Sequence, residues 1–498
     1  MASNCYHNRM VLLSSVLLTC SSAILSVGCG SSNESQATSA KTVQGELQLS
    51  PATVELFQGE SANFVPSNSV AVSPSRCTWH ATDPTILSSK GSGGFLGTGV
   101  GSSSVTATCD GFSASALAVV SSVSDPNTIK ITSGGIYSGN WSSTNPKVPA
   151  VTILTDKPVV LQNSKVSGPG DLIVIYGSQG GGANVTIENV TGTALDPGVS
   201  GAVKGRFVAG ENMSSLSVTH CTMHDVSFGV YVASSKLTSL TIRDNAADNL
   251  DDRKSDGNGG YLLNQRALGH FIQFNGVSLP NGGEIAWNQM INSDGKGSIE
   301  DIINIYQSQG SRDHSILIHD NYLQGAFATG LTKSYTGSGI QMDGGSNDPS
   351  VASGFVQIQN NTIVHLAGPA ISIAAGHDIS VTGNRVVSCG KDSSGKWIDA
   401  PWTDVLVMSN YYGTNQYFNN YMANNSGGMI RPDVKGNPTA SDIYAPSASE
   451  SLNNVVGRNV FKQPCFVGSS VDLAAESAER NRWLSIAAAT GELLGDQH

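Results

Sequence analysis

Two periodicities organise the chain. In the first, short segments alternate apolar and polar positions: GVYV from Gly229, FIQF from Phe271, INIY from Ile303, GIQM from Gly339, AISI from Ala370 and VLVM from Val405. Such alternation puts successive side chains on opposite faces of a strand, one buried and one solvated. Taking Val230, Ile272, Ile303, Ile340 and Ile371 as inward leaves Tyr231, Gln273, Asn304, Gln341 and Ser372 as an outward row. Asn275, Tyr306, Asp343 and Ala374 stand one step along. These segments are predicted to stack as one sheet.

The second periodicity is a repeat of wording, apolar-x-x-Asn-x-apolar. It recurs around Asn189, Asn245, Asn288, Asn321, Asn361, Asn384, Asn420 and Asn459, and LSVTHCTM puts Cys221 in the same slot. The shortest step, Asn361 to Asn384, is 23 residues, and the longer steps carry insertions. A solenoid with loops reads this way. Each coil, three short strands and three turns, is too small to bury its own apolar face and must stack on its neighbours. An inward Asn at a turn can bond its counterpart one coil away, so these Asn are read as a structural ladder.

The remaining regions are predicted from changes in pattern. Residues 1–28 are an apolar run behind a lone Arg9, which reads as a signal peptide, and 29–44 as a flexible tether. The segment closing on Val27-Gly28-Cys29 resembles a bacterial lipoprotein box, which implies lipidation at Cys29, and hence contact with a membrane only through a lipid anchor. Residues 45–121 show short alternating segments between Gly, Ser and Pro turns, as expected of a small sandwich. Residues 127–465 are the solenoid, and 471–490 have helical periodicity, predicted to cap its last coil.

Composition narrows the function classes. With 56 Gly and only 13% charged residues the balance is β-rich. A net charge of −11 without any basic run argues against nucleic acid, which requires a basic face. The cysteines have no zinc-like spacing.

The wording LSPATVELFQGESANF, CTWHATDPTIL and GTGVGSSSVTATCDGFSASALAVV resembles bacterial immunoglobulin-like domains. In an oxidising compartment that implies a disulfide between Cys77 and Cys109; the pairing of Cys221, Cys389 and Cys465 is left open. From about Ile129 to Lys462 the repeats resemble the right-handed parallel β-helix group that includes pectate lyases, polygalacturonases, alginate lyases and mannuronan epimerases. The expected fold is therefore all-β: a right-handed parallel β-helix preceded by a small β-sandwich. The polygalacturonase-type series of Asn-Thr-Asp followed by Asp-Asp and Gly-His-Gly is absent as a series, and so is the Tyr-Gly-Asp-Pro-His segment of epimerases.

In that group the ligand lies along the first sheet, which implies sugar contacts at Tyr231, Gln273, Asn304, Tyr306 and Gln341. Charged residues cluster in the adjoining insertions. Elimination from a uronic acid needs a cation to neutralise the carboxylate, a base, and an acid for the leaving oxygen. Glu300, Asp301 and Asp343 are candidate Ca²⁺ ligands, Arg253 the carboxylate clamp, and Lys254, Lys333 or His377 the base. For hydrolysis the candidate carboxyl pair is Asp301 and Asp343. The expected partner is an extracellular acidic polysaccharide, met by a monomer. A lyase is ranked ahead of a hydrolase, and both ahead of a glycan-binding adhesin.

Overall fold

The computed structural model describes residues 47–495, apart from 58–60, 68–75, 122–124, 126, 179–181, 328–335, 400–403, 434, 449–452, 463 and 469. The signal and tether segments, Cys29 and Lys333 lie outside the described residues. The chain divides into two compact units, Met1–Ser122 and Val123–His498.

In the first unit, strands Thr53–Phe57, Phe112–Ser121, Gly101–Cys109 and Cys77–Ala81 form a four-stranded sheet. Ser61–Asn63, Gly94–Gly97 and Leu87–Gly91 form a three-stranded one. Alternation decides what is buried: along Gly101–Cys109 every second side chain from Ser103 to Cys109 is inside, against Leu56, Phe64, Leu87 and Phe95. Cys77 and Cys109 lie opposite each other across neighbouring strands and are disulfide-bonded.

The second unit is a parallel β-helix. Among its described residues, one sheet stacks eleven parallel strands from Ile129–Ile131 to Ile443–Tyr444. Most of the remaining strands form two further stacks that meet at a bend, so Ser239–Arg243 lies on Gly283–Ala286 while Ala246–Asp248 lies on Gln289–Ile291. The inward row predicted from alternation is the observed one: Val230, Ile272, Ile303, Ile340 and Ile371 pair in register and are fully buried, and Leu406 continues the row. Tyr231, Gln273, Asn304, Gln341 and Ser372 pair beside them on the other face.

The ladder runs at the bend through Asn245, Asn288, Asn321, Asn361, Asn384, Asn425 and Asn459. Each Nδ2 donates to the next Oδ1 at 2.8 to 2.9 Å, and the same Oδ1 accepts the backbone N–H of the preceding Asn. Two expected members fall elsewhere. Asn189 takes the left-handed position just before the slot, where the inward residue is Val190. Asn420 immediately precedes the strand Tyr421–Ala423 and accepts from Ile379 N, while its own N–H donates to Asn454. The rule behind this is local: a residue with positive φ, such as Asp244, Asp320, Asn360 or Asn424, turns the chain, and the next residue points inward.

Cys221 fills a ladder slot without a disulfide, its Sγ donating to the carbonyls of Ile187 and Thr219. Cys389 and Cys465 are bonded to each other.

The helix Ala474–Thr490 does not cover the last coil; it docks along the flank of the solenoid. Glu476 accepts from Cys389 N, Arg482 donates to Thr362, Trp483 Nε1 donates to Asp320 O, and Gly495 N donates to Asp244 O. These partners step back through successive coils, because 17 residues of helix, about 25 Å, cover four coil spacings of about 4.8 Å with a turn to spare. Trp287, left-handed at φ 55°, packs on Trp483 together with Tyr322. Gly491, at φ 82°, ends the helix by donating its N–H to Ala487 and Ala488.

Candidate functional site

The strands His270–Asn275, Asp301–Tyr306 and Ser338–Asp343 are longer than their neighbours in the eleven-stranded sheet, and their first residues stand in register: His270 beside Asp301, Asp301 beside Ser338. This brings together a cluster that the sequence-based list met only in part. His270, Glu300 and Asp301 each offer a ligand atom, all within 4.8 Å of one another. His270 is 1% exposed and Asp301 2% exposed.

The hydrogen bonds fix the state of the imidazole. His270 Nδ1 lies 3.1 Å from the carbonyl oxygen of Asp301. A carbonyl only accepts, so Nδ1 carries the proton and Nε2 presents a lone pair. Nε2 stands 3.4 Å from Glu300 Oε2 but makes no hydrogen bond. Asp301 Oδ2 accepts from Asn304 Nδ2 at 3.1 Å and the carboxyl is also within reach of Ser338, while Asp301 Oδ1 and Asn304 Oδ1, both buried, make no hydrogen bond of ordinary geometry among the described residues.

Electrostatics follow from burial. Desolvation, followed by the charges of Asp301 and Asp343, pushes the Glu300 carboxyl well above its ordinary range. Desolvation likewise raises Asp301, against the opposing hydrogen bond from Asn304. Burial holds His270 down to about 3, so the ring is neutral. The nearby cation is already engaged: Arg266 forms a buried ion pair with Asp252 at 2.9 Å, and Asp252 also accepts from Gly269 N and Ser298 Oγ.

Beside the cluster, along the same edge of the sheet, lies a cavity of about 330 Å³. Asp171, Lys204, Arg206 and Phe228 are among its lining residues. Phe228 meets His270 edge-on at 5.7 Å and Tyr231 at 6.0 Å, which joins the cavity to both the cluster and the outward row. Arg206 forks onto Asp171 and lies over the Tyr231 ring, 4.9 Å from its centroid. Lys204 also lines a second depression with Arg253 and Tyr261.

The other predicted residues are placed as follows. Arg253 and Lys254 lie on the strand Arg253–Ser255, which pairs with Tyr261–Arg266 as a hairpin. Arg253 is held by Asp251 at 2.7 Å and covers the Tyr261 ring at 3.9 Å. Tyr306 and Asp343 pair at the far, C-terminal end of their strands, where Asp343 accepts from Gly344 N and the Tyr412 hydroxyl. Tyr231, Gln273 and Gln341 are half-buried on the outer face, whereas Asn304 is buried against Asp301. His377 is not brought to the cluster. It follows the end of the strand Ile371–Ile373, begins a strand of a different sheet, and is buried, stacked on Phe418 at 4.9 Å with Nδ1 on Asp378.

His270, Lys204, Arg206 and Phe228 were missed. For His270 a signal existed: aligning the starts of GHFIQF and EDIINIY by their inward Ile sets it beside Asp301. Arg206 and Lys204 precede the strand Val208–Gly210, which carries no alternation of its own.

No family model matches this chain, and no curated protein matches it.

Proposed function

We propose that this protein binds an acidic polysaccharide along the outer face of the eleven-stranded sheet and cleaves it at the His270–Glu300–Asp301 edge. The observation that carries the reading is the junction at Phe228 of a cavity lined by Lys204 and Arg206 with a buried carboxyl cluster. A cavity of about this size is in the range that takes a small ligand group such as a sugar ring. Cations at its wall suit a uronate carboxylate, and a cluster with displaced carboxyl titration is what acid–base chemistry uses.

β-Elimination is the favoured reaction. Lys204 and Arg206 would bind the substrate carboxylate, Tyr231, Gln273 and Gln341 would orient the neighbouring sugars, and Lys254, on the hairpin, is the candidate base. The orphaned oxygens of Asp301 and Asn304 and the lone pair of His270 fit a divalent cation. Held by Glu300, Asp301 and His270, it would neutralise the uronate and acidify its α-proton. Hydrolysis has one observation in its favour, the raised Glu300 carboxyl, which stays protonated near neutral pH as a leaving-group acid must.

The polymer meets the protein outside the cytoplasm in this reading, with Cys29 as the lipid anchor. The two disulfides support an oxidising compartment. Incubation with pectate, alginate and other uronic-acid polymers tests the function. Unsaturated ends lost in Arg206→Gln support elimination, and new reducing ends without unsaturation support hydrolysis. Retention of the polymer without any new ends leaves a binding protein.

A further inference from the structure

The donor set at this edge is not that of a calcium site. We infer that His270 Nε2, Glu300 and Asp301 form a binding site for a first-row divalent transition cation such as Mn²⁺ or Zn²⁺, with the Asn304 carbonyl beside it.

Three observations carry this independently of any substrate. First, the backbone carbonyl of Asp301 holds the proton on Nδ1, so the buried Nε2 presents its lone pair toward Glu300. A second hydrogen bond of this kind is the usual device that orients a metal-ligating histidine. Second, the 3.4 Å between Nε2 and Glu300 Oε2 is close to the separation of two ligands on one tetrahedral centre with bonds of about 2.1 Å. Third, three buried polar atoms here, His270 Nε2, Asp301 Oδ1 and Asn304 Oδ1, make no hydrogen bond of ordinary geometry among the described residues.

Charge balance points the same way. Glu300 and Asp301 together carry two negative charges when ionised, and the neighbouring Arg266 is committed to Asp252. Burying two adjacent carboxylates is costly unless a cation accompanies them, and a divalent ion would cancel both charges. An imidazole nitrogen suits Zn²⁺ and the two carboxylates beside it also admit Mn²⁺, whereas Ca²⁺ takes six to eight oxygens. Asp343, the third carboxylate expected to bind Ca²⁺, is instead held by Tyr412 and Gly344 at the other end of its strand.

As a participant in cleavage the ion rests on the function proposed above; as a bound ion it does not. The test is therefore made without polymer. The full chain, stripped with chelator, is titrated calorimetrically with Mn²⁺, Zn²⁺ or Ca²⁺ alone. One equivalent of Mn²⁺ or Zn²⁺ is expected to bind at least tenfold more tightly than Ca²⁺, with a further loss of tenfold or more in His270→Ala and in Asp301→Asn. Because His270 is buried, wild-type protein loaded with Co²⁺ provides a second reading: nitrogen coordination is expected in its visible spectrum. Absence of stoichiometric Mn²⁺ or Zn²⁺ binding, or Ca²⁺ binding as tight as theirs, would overturn the inference. A chain that binds the ion but cleaves no polymer would overturn only the proposed function.

Discussion

The Asn ladder and the His270–Glu300–Asp301 cluster are both rows of buried polar side chains stacked between coils of the same solenoid, and they are built to opposite ends. In the ladder, Asn321 shows the pattern: its Nδ2 donates to Ile285, His319 and Asn361, and its Oδ1 accepts the N–H and Nδ2 of Asn288. In the cluster, lone pairs on His270, Asp301 and Asn304 remain unused. An unmade hydrogen bond in the interior costs about 1–3 kcal/mol, so the open row is the costlier of the two to keep without a ligand. Single orphaned atoms occur elsewhere too, at His377 Nε2 and Asp244 Oδ1; what sets the cluster apart is that three of them, on His270, Asp301 and Asn304, stand on adjoining strands.

The largest effect is expected in the ladder. Asn321→Leu would strand the donors of Asn288 and the acceptors of Ile285 and Asn361, a loss of about 4 kcal/mol measurable by denaturant unfolding. A loss under about 1 kcal/mol would erase the contrast. Next comes the flank. Replacing Cys389 and Cys465 by Ser is expected to cost about 2–4 kcal/mol, and to free the C-terminal helix to proteolysis.

A smaller, pH-dependent effect isolates the ion pairs beneath that helix. His365 lies between Asp294 at 2.7 Å and Glu476 at 2.8 Å. Against the opposing effect of its burial, these carboxylates raise it from 6.5 to about 10. A raised histidine stabilises the fold fully below its unfolded value and loses that contribution as pH rises through the folded one. Thermal stability should therefore fall between about pH 6.5 and 10, and His365→Gln should flatten that fall. Asp294 is lowered to about 2, chiefly by its bond to His365, so its share persists above its ordinary 3.8 and is lost as pH falls through about 2.

Much of the solenoid was legible in the sequence because strand alternation is local: one correct choice, Ile303 inward, sets Asn304 and the whole outer row by register. The ladder was legible except where the turn slips by one residue, at Asn189, or where a neighbouring Asn pair is the inward one, at Asn420. The helix was seen, but its docking face was not. Glu476 and Glu479 find Cys389 and Arg385 in one coil while Trp483 finds Asp320 in an earlier one, and no spacing within the helix encodes which. The site was half visible. Glu300, Asp301 and Asn304 stand in or beside a recognisable strand, and so do His270 and Phe228, whose edge position shows only when the strand starts are aligned coil on coil; Arg206 precedes a strand without alternation. His377 looked equivalent because it also flanks a strand, but it follows one where His270 begins one, and this puts them on opposite edges of the sheet.

The central claim, that the unsatisfied cluster works while the satisfied ladder only supports, is tested most directly by Asp301→Asn measured twice, for unfolding free energy in chelator and for cleavage of the preferred polymer. The account predicts stability within about 1 kcal/mol of wild type, because a neutral isostere relieves a buried carboxyl, together with a fall in cleavage of about a hundredfold or more. A variant that loses stability as Asn321→Leu does while cleaving at the wild-type rate would contradict it.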